Sequence, residues 1–397
     1  MKTPARSCPT PHISTLSRRT LMLAVTGGFV SPAISPLVQA VSAHSDVATL
    51  VATMDEALAA GVDQGIPGIA LAIEEGSDQI YSGVAGLASI EEGIPLEAND
   101  RFRIYSITKT FTATVVYQLV DEELIALDDA VAMWLDEPAV QRIPHVERVT
   151  IRQLLNHTSG IYDFGDDDDS PFWEDAFLGA KADWTKVWTV PELLTYADPD
   201  NHAPYFAPGE GFHYSNTNYL LLGMIVEKAT GSTFEDELQN RILTPLGLAD
   251  TSLATGGVVP DGVVDGYQLL DGELLNVTAI NLSWVWSAGG MVSTTADLLR
   301  FARATRDGEL MSPASFAEMF SFVPSENPNL QFGNGLYKDV TPNGTLVGMD
   351  GGSAGFSANM MWLEEEDLTV VVLVNRAPDD GSSEALRDEA FTLALGQ

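Results

Sequence analysis

Arg103-Ile104-Tyr105-Ser106-Ile107-Thr108-Lys109-Thr110-Phe111 is the stretch around which the rest of the chain is organised. A serine followed three places later by a lysine, at the start of a helix, sets an amine beside a hydroxyl, because positions i and i+3 share a helix face. A hydroxyl is a weak nucleophile until a neighbour takes its proton, and an amine held out of water can help to do that. Ile107, Phe111, Val115 and Leu119 recur every four residues and predict a buried stripe that would hold the pair rigidly. Lysine is scarce, six in the whole chain, and only at Ser106–Lys109 does a serine precede a lysine by three. The pattern is weak by itself, since chance supplies S-x-x-K roughly once in every two or three chains of this composition. A serine near a helix start with a solvent-facing lysine explains it equally well.

The 397 residues are 45% hydrophobic, enough for one large domain with two lobes, or for two domains. Charge is extreme, with 56 acidic residues against 20 basic ones and a net charge of −36. The first 43 residues hold four of the basic residues and no acidic ones, so the remainder is more acidic still. Such a field repels nucleic acid and anionic membrane, and neither is expected as a partner. It also favours solubility in concentrated salt, and a salt-rich habitat is the expectation. Cys8 is the only cysteine and lies in a segment expected to be removed, leaving no disulfide, thiolate ligand or cysteine nucleophile. The histidines are scattered without metal-binding spacing, so neither a metal nor a cofactor is expected.

Residues 1–43 read as an export signal. Ser17-Arg18-Arg19-Thr20-Leu21-Met22 opens a short apolar run through Val30, and small-residue sites follow at Val38-Gln39-Ala40 and Val41-Ser42-Ala43. Paired arginines before a modest apolar stretch resemble a twin-arginine signal. The run is too short to span a bilayer and prolines follow it, so cleavage is favoured over anchoring. A periplasmic or secreted protein is expected, with no stable membrane span after cleavage.

A single domain is expected over 46–397. Leu50, Met54 and Leu58 predict a helix from about Asp46 to Gly65. Ile69–Ile73 and Gln79–Gly86 flank a turn-like Glu74–Asp78 and predict a hairpin. Far downstream, Ser357–Leu363 and Leu368–Val374 predict a second hairpin about Glu364–Asp367, before a last helix over about Ser383–Leu395. Strands at both ends and a long, mostly helical middle imply an α+β architecture, its antiparallel sheet closed by the two termini.

In the middle, Val149–Leu155 leads into Asn156-His157-Thr158-Ser159-Gly160. His157 is a possible base, but a structural histidine in a turn is the favoured reading. Residues 163–206 lose periodicity. They contain the acidic run Asp166–Asp169, read as a solvated loop. They also contain Phe172, Trp173, Trp184 and Trp188, read either as a lid over a pocket or as a small satellite core. Further on, Tyr214-Ser215-Asn216 precedes a helix near Tyr219–Thr230 that Gly231 ends. A tyrosine hydroxyl shuttles a proton if a cation such as Lys109 lowers its pKa. An asparagine offers both a donor and an acceptor to a substrate amide. Taken alone, the pair reads as an aromatic core residue and a helix-capping asparagine.

Together these segments resemble the penicillin-recognising serine hydrolases: class C β-lactamases, serine D-alanyl-D-alanine carboxypeptidases, D-aminopeptidases and related esterases. Ser106-Ile107-Thr108-Lys109 matches the first motif of that family and Tyr214-Ser215-Asn216 the second. The surrounding phrases match too: Leu154–Gly160 (LLNHTSG), Pro208–Gly223 (PGEGFHYSNTNYLLLG), Pro245–Leu248 (PLGL) and Ser287–Thr294 (SAGGMVST). The resemblance runs from about residue 50 to the C-terminus. It implies a β-lactamase/transpeptidase-like fold, an antiparallel sheet flanked by terminal helices plus a mostly helical lobe. It makes Ser106 the nucleophile and Lys109 and Tyr214 its proton-transfer partners, with Asn216 contacting substrate.

The third motif departs from the pattern. By position it is Met349-Asp350-Gly351, within Gly348–Phe356 (GMDGGSAGF) and just before a strand, where the family usually has lysine or histidine first. The resemblance implies that Met349 and Gly351 line the substrate site. It makes the backbone N–H groups of Ser106 and Gly352 the oxyanion hole. Methionine cannot replace a cation facing a substrate carboxylate. The expected activity is therefore acyl-enzyme hydrolysis of small esters, amides or peptides, carboxypeptidase- or esterase-like, with weak β-lactamase activity at most. The altered motif leaves a non-catalytic binding or sensing module on the same fold as the alternative.

Overall fold

The computed structural model describes residues 47–165, 170–198, 200, 202–270, 272–377 and 381–396. The segment expected to be an export signal, with Cys8, and the acidic run Asp166–Asp169 lie outside the described residues. Five helices exceed ten residues among them: α1 (Val47–Asp63), α2 (Thr108–Asp121), α3 (Asn216–Thr230), α4 (Thr295–Arg306) and α5 (Ser382–Ala394).

The main sheet has nine strands: β1 (Gly68–Glu75), β2 (Asp78–Ser89), β3 (Ile94–Pro95), β4 (Val323–Pro324), β5 (Leu330–Phe332), β6 (Tyr337–Thr341), β7 (Gly344–Ser353), β8 (Phe356–Leu363) and β9 (Leu368–Val374). Their spatial order is β3-β2-β1-β9-β8-β7-β6-β5-β4, antiparallel at every junction. The pairing of β1 with β9, Ile69 opposite Val374 and Ile73 opposite Val370, joins the two ends of the domain. The sheet is closed by the termini, as the two hairpins predicted.

Both faces of the sheet are covered, which is why β1 and β9 are continuous apolar runs instead of alternating ones. Ile69 reaches Gly61 of α1, whereas Glu74, of opposite parity, bonds Arg303 of α4 at 2.6 Å. Helices α1 and α5 pack together on one face. On the other, α4 joins the sheet to the helical lobe. Trp173, Phe172, Trp184 and Trp188 are buried among Phe164, Phe177 and Trp284 and are continuous with the main hydrophobic core, so the aromatic segment is not a separate satellite core.

Helix α2 runs through the middle of the lobe. Its predicted stripe is fully buried, and so are Thr108, Thr110, Thr112 and Thr114. Buried hydroxyls need partners. Thr110 donates to the carbonyl of Gly335, Thr112 to that of Ser287, and Thr108 accepts from the N–H of Met291. The threonines thus tie α2 to segments more than 170 residues away in sequence.

Candidate active site

Ser106 sits in a single 3-10 turn, Tyr105–Ile107, that leads directly into α2. Tyr105 has φ of +39°, a left-handed conformation that a bulky residue rarely adopts. Its hydroxyl donates to the carbonyl of Ala354 at 2.8 Å, pinning the turn to the β7–β8 connection. Lys109 is wholly buried, and its Nζ donates to Ser106 Oγ (3.0 Å), Asn216 Oδ1 (2.7 Å) and the carbonyl of Ala288 (2.8 Å). Tyr214 Oη donates to Ser106 Oγ at 2.8 Å. The Lys109 ammonium also stands over the rings of Tyr214 and Tyr219, at 4.9 and 5.5 Å from their centroids. Hydroxyl, amine and phenol therefore meet, although Tyr214 is 108 residues from Ser106 along the chain.

His157 is not in the chain of proton carriers. It has a left-handed backbone (φ +60°), it is buried, and its Nδ1 accepts the N–H of Ser215 at 3.1 Å. Burial, then the nearby Lys109 charge, hold its pKa well below the ordinary histidine value, so the ring is neutral. It stacks on Tyr214 with centroids 4.4 Å apart and backs that phenol against Ser106. The structural reading of His157 holds.

Asn216 occupies the first turn of α3, after Ser215 at the helix cap. Its amide oxygen accepts from Lys109, and its Nδ2 donates to Asp163 Oδ2 at 3.1 Å. Both ends of the amide are held by the protein. Asp163, the carbonyl of Ala288 and Tyr219 were not singled out by the sequence. Ala288 lies inside the phrase SAGGMVST, and Asp163 only six residues after His157, so proximity to these phrases was the available signal.

The third motif lies just before strand β8, as expected, and is itself part of a strand, the last half of β7. Side chains alternate between faces. Gly351 faces the nucleophile turn, where a Cβ would stand 2.1 Å from the carbonyl oxygen of Ile104 and 2.6 Å from the N of Ser106. Only glycine permits that approach. Met349 shares this face and is buried. Asp350 has the opposite parity, and Tyr337, Glu384 and Arg387 act on its carboxyl.

Hydrogen-bond parity settles where the strand's free N–H groups point. Thr345 is in register with Glu364 and accepts its N–H, so odd-numbered residues of β7 bond toward β8. The even-numbered ones turn outward. Strand β6 covers that edge only as far as Gly348, opposite Tyr337. Asp350 and Gly352 therefore direct their N–H groups along an edge that no described strand pairs, next to the turn that carries Ser106; that of Asp350 bonds its own carboxyl.

A serine hydroxyl shared between a buried lysine and a tyrosine, beneath the free edge of an antiparallel strand, defines an active-site serine hydrolase of β-lactamase/transpeptidase-like fold. The chain belongs to the Beta-lactamase family, whose model matches residues 47–394. It is 30% identical over 337 residues to "Penicillin-binding protein 4*" of Bacillus subtilis, covering 81% of this chain and 71% of that protein. It is 26% identical over 337 residues to a "D-aminopeptidase" of Brucella anthropi, covering 83% of this chain and 59% of that one, so it spans about three fifths of that relative. Among solved structures, a D-stereospecific amidohydrolase from Streptomyces superposes with a TM-score of 0.76 at 34% identity, covering 86% of this chain and 98% of the other.

Proposed function

We propose that this serine hydrolase works through an acyl-enzyme on Ser106 and cleaves amides, short peptides and esters whose recognition does not depend on a free carboxylate. The observation that carries the reading is the pair of contacts on one oxygen, Lys109 Nζ at 3.0 Å and Tyr214 Oη at 2.8 Å from Ser106 Oγ. In the acylation step Ser106 Oγ attacks the carbonyl carbon and its proton passes into the Lys109–Tyr214 pair. The carbonyl oxygen takes up negative charge against the N–H groups of Ser106 and Gly352. The carbon–leaving-group bond then breaks, and the departing amine or alcohol receives a proton relayed through Tyr214. Water attacks the acyl-enzyme by the same route and regenerates Ser106. An oxyanion donor in such a site contributes about 3–4 kcal/mol to the barrier reduction, comparable to the proton relay.

Substrate preference follows from Met349 and from charge. A charge-assisted hydrogen bond to a carboxylate is worth about 1.5–3 kcal/mol, and Met349 supplies none. The net charge of −36 disfavours anionic substrates further and favours those with a free amine. Relatives named D-aminopeptidase and D-stereospecific amidohydrolase favour the same assignment. Carboxypeptidase and β-lactamase activities rank below it. A binding or sensing role without turnover is the second reading, and the altered third motif is its only support.

Intact-mass analysis after exposure to a fluorophosphonate, a penicillin and an activated ester tests the nucleophile. Hydrolysis of nitrophenyl esters and D-amino acid amides against D-alanyl-D-alanine peptides and cephalosporins tests the preference. Labelling and turnover should both disappear in Ser106→Ala. Efficient cephalosporin turnover by the unaltered enzyme would overturn the substrate ranking, and unlabelled Ser106 would leave the sensing role. Export is inferred from residues 1–43; a mature chain beginning after Ala40 or Ala43 is the expected product, and a retained Met1 would contradict it.

A further inference from the structure

Asp163 is a carboxylate enclosed in the lobe, 1% exposed, at a place where burial needs a reason. Its segment is knitted to the first turn of α3. The N–H of Phe164 bonds Thr217 Oγ1, which in turn donates to the carbonyl of Tyr162, and Ser159 bonds Asn218. The carboxylate itself accepts from Gly165 N at 3.0 Å and from Asn216 Nδ2 at 3.1 Å. The same Asn216 accepts from Lys109 at 2.7 Å. One amide therefore separates a buried carboxylate from the buried amine that touches the nucleophile.

This arrangement has two consequences. An asparagine amide can present either end. With Nδ2 committed to a carboxylate, which only accepts, Oδ1 is the end left for Lys109, and a flipped amide would oppose an N–H to an ammonium. The negative charge also stabilises the ammonium form of Lys109, which burial alone would disfavour.

We propose that Asp163 is a positioning residue for the Ser106 reaction: through Asn216 it fixes the amide orientation and sets the charge state of Lys109. The proposal rests on the serine-hydrolase mechanism above. It touches no substrate and no reacting atom; it acts through Lys109. Other titratable groups near Lys109 among the described residues include Tyr214 and Tyr219, with the neutral His157 behind Tyr214 and His213 beyond it. Of the charged groups on helices packed against α2, Glu318 is paired with Arg152 and Glu237 with Arg241, which also pairs with Glu122 at the C-cap of α2 itself.

The test is the pH profile, from about 5 to 10, of nitrophenyl ester kcat/KM and of fluorophosphonate labelling rate in the full-length enzyme and in Asp163→Asn. Loss of the carboxylate disfavours the Lys109 ammonium and favours a Tyr214 phenolate, so both pKa values fall. At least one limb of the profile should move down by about one pH unit. A shifted acid limb marks a neutral Lys109 as the working form, and a shifted alkaline limb a cationic one. Superimposable profiles that differ only in height, or a limb that moves up, would overturn the proposal, because a merely structural carboxylate lowers rate or stability without moving a pKa. If Asp163→Asn does not fold, Asp163→Ser removes the charge while its hydroxyl still accepts from Gly165, and the same shift is expected. If the unaltered enzyme is not labelled at Ser106, the mechanism fails and this inference falls with it. A labelled enzyme with an unmoved profile in the variant sinks the inference alone.

Discussion

At the scale of single residues, Met349 is where the third motif departs from the pattern that the resemblance to the family implies. It lies on the Gly351 face of β7, two positions from the contact with the Ser106 turn, and it is 3% exposed. On the proposed reading of the site, a cation there would face substrate from the strand that borders the nucleophile. Met349→His should therefore raise kcat/KM for a carboxylate-terminated peptide relative to a neutral ester by about 10- to 100-fold. An unchanged ratio in a folded variant would show that carboxylate recognition is not decided at this position. The residues that were legible and those that were not divide on a physical line. Ser106 and Lys109 announce themselves because their pairing is local, three places apart on one helix. Tyr214 and Asn216 stand in a distinctive phrase. Asp163 gives no local sign: a lone aspartate just before the acidic run Asp166–Asp169 looks like surface, and its meaning comes from a contact 53 residues away. His157 shows the opposite error avoided, since an imidazole near a serine invites a catalytic role that its Ser215 bond and its burial refuse.

At the scale of elements, apolar runs gave away β1, β8 and β9, because strands covered on both faces need no polar alternation. Strand β7 has no such apolar run, for the reason that makes it useful. Gly344, Gly348, Gly351 and Gly352 interrupt it, yet Gly351 is what lets backbone meet backbone at Ser106. The same strand carries a cost on its reverse side. Burial first, then repulsion from Glu384, raise the Asp350 carboxyl to about 6, against partial relief from Arg387 and Tyr337. A carboxyl with a higher pKa in the folded chain than in the unfolded one binds more protons when folded. Its contribution to stability therefore falls as pH rises from about 4 to 6 and stays low above that. Asp350→Asn should stabilise the protein at pH 7–8 by about 1–3 kcal/mol and leave it unchanged near pH 4. Thermal melts at the two pH values decide this. Equal effects at both would place the gain in packing and not in titration.

At the scale of the whole molecule, four of the arginines each serve two carboxylates. Arg142 ion-pairs with Asp198 and Asp200, Arg152 with Asp128 and Glu318, Arg241 with Glu122 and Glu237, and Arg306 with Asp307 and Asp367. Sharing of this kind does not neutralise the surface; 56 acidic residues against 20 basic ones leave a large excess of like charge. Two effects of added salt then compete. Salt weakens the exposed ion pairs, each worth about 0–1 kcal/mol. It also screens repulsion among the unpaired carboxylates, with the Debye length falling from about 30 Å at 0.01 M to about 10 Å at 0.1 M and about 3 Å at 1 M. Repulsion is summed over many more charges than there are arginines to pair them, so screening wins. The melting temperature should climb by about 5 °C or more between 0.01 and 0.5 M NaCl. KCl should match it, since the effect is ionic strength and not the identity of the cation. Most of the rise should come below 0.5 M, where screening does most of its work, whereas surface exclusion by salt grows steadily into the molar range. A flat or falling curve on dialysis from low to high salt would mean that the paired arginines, not the unpaired carboxylates, govern the surface, and the salt-rich habitat would lose its physical argument.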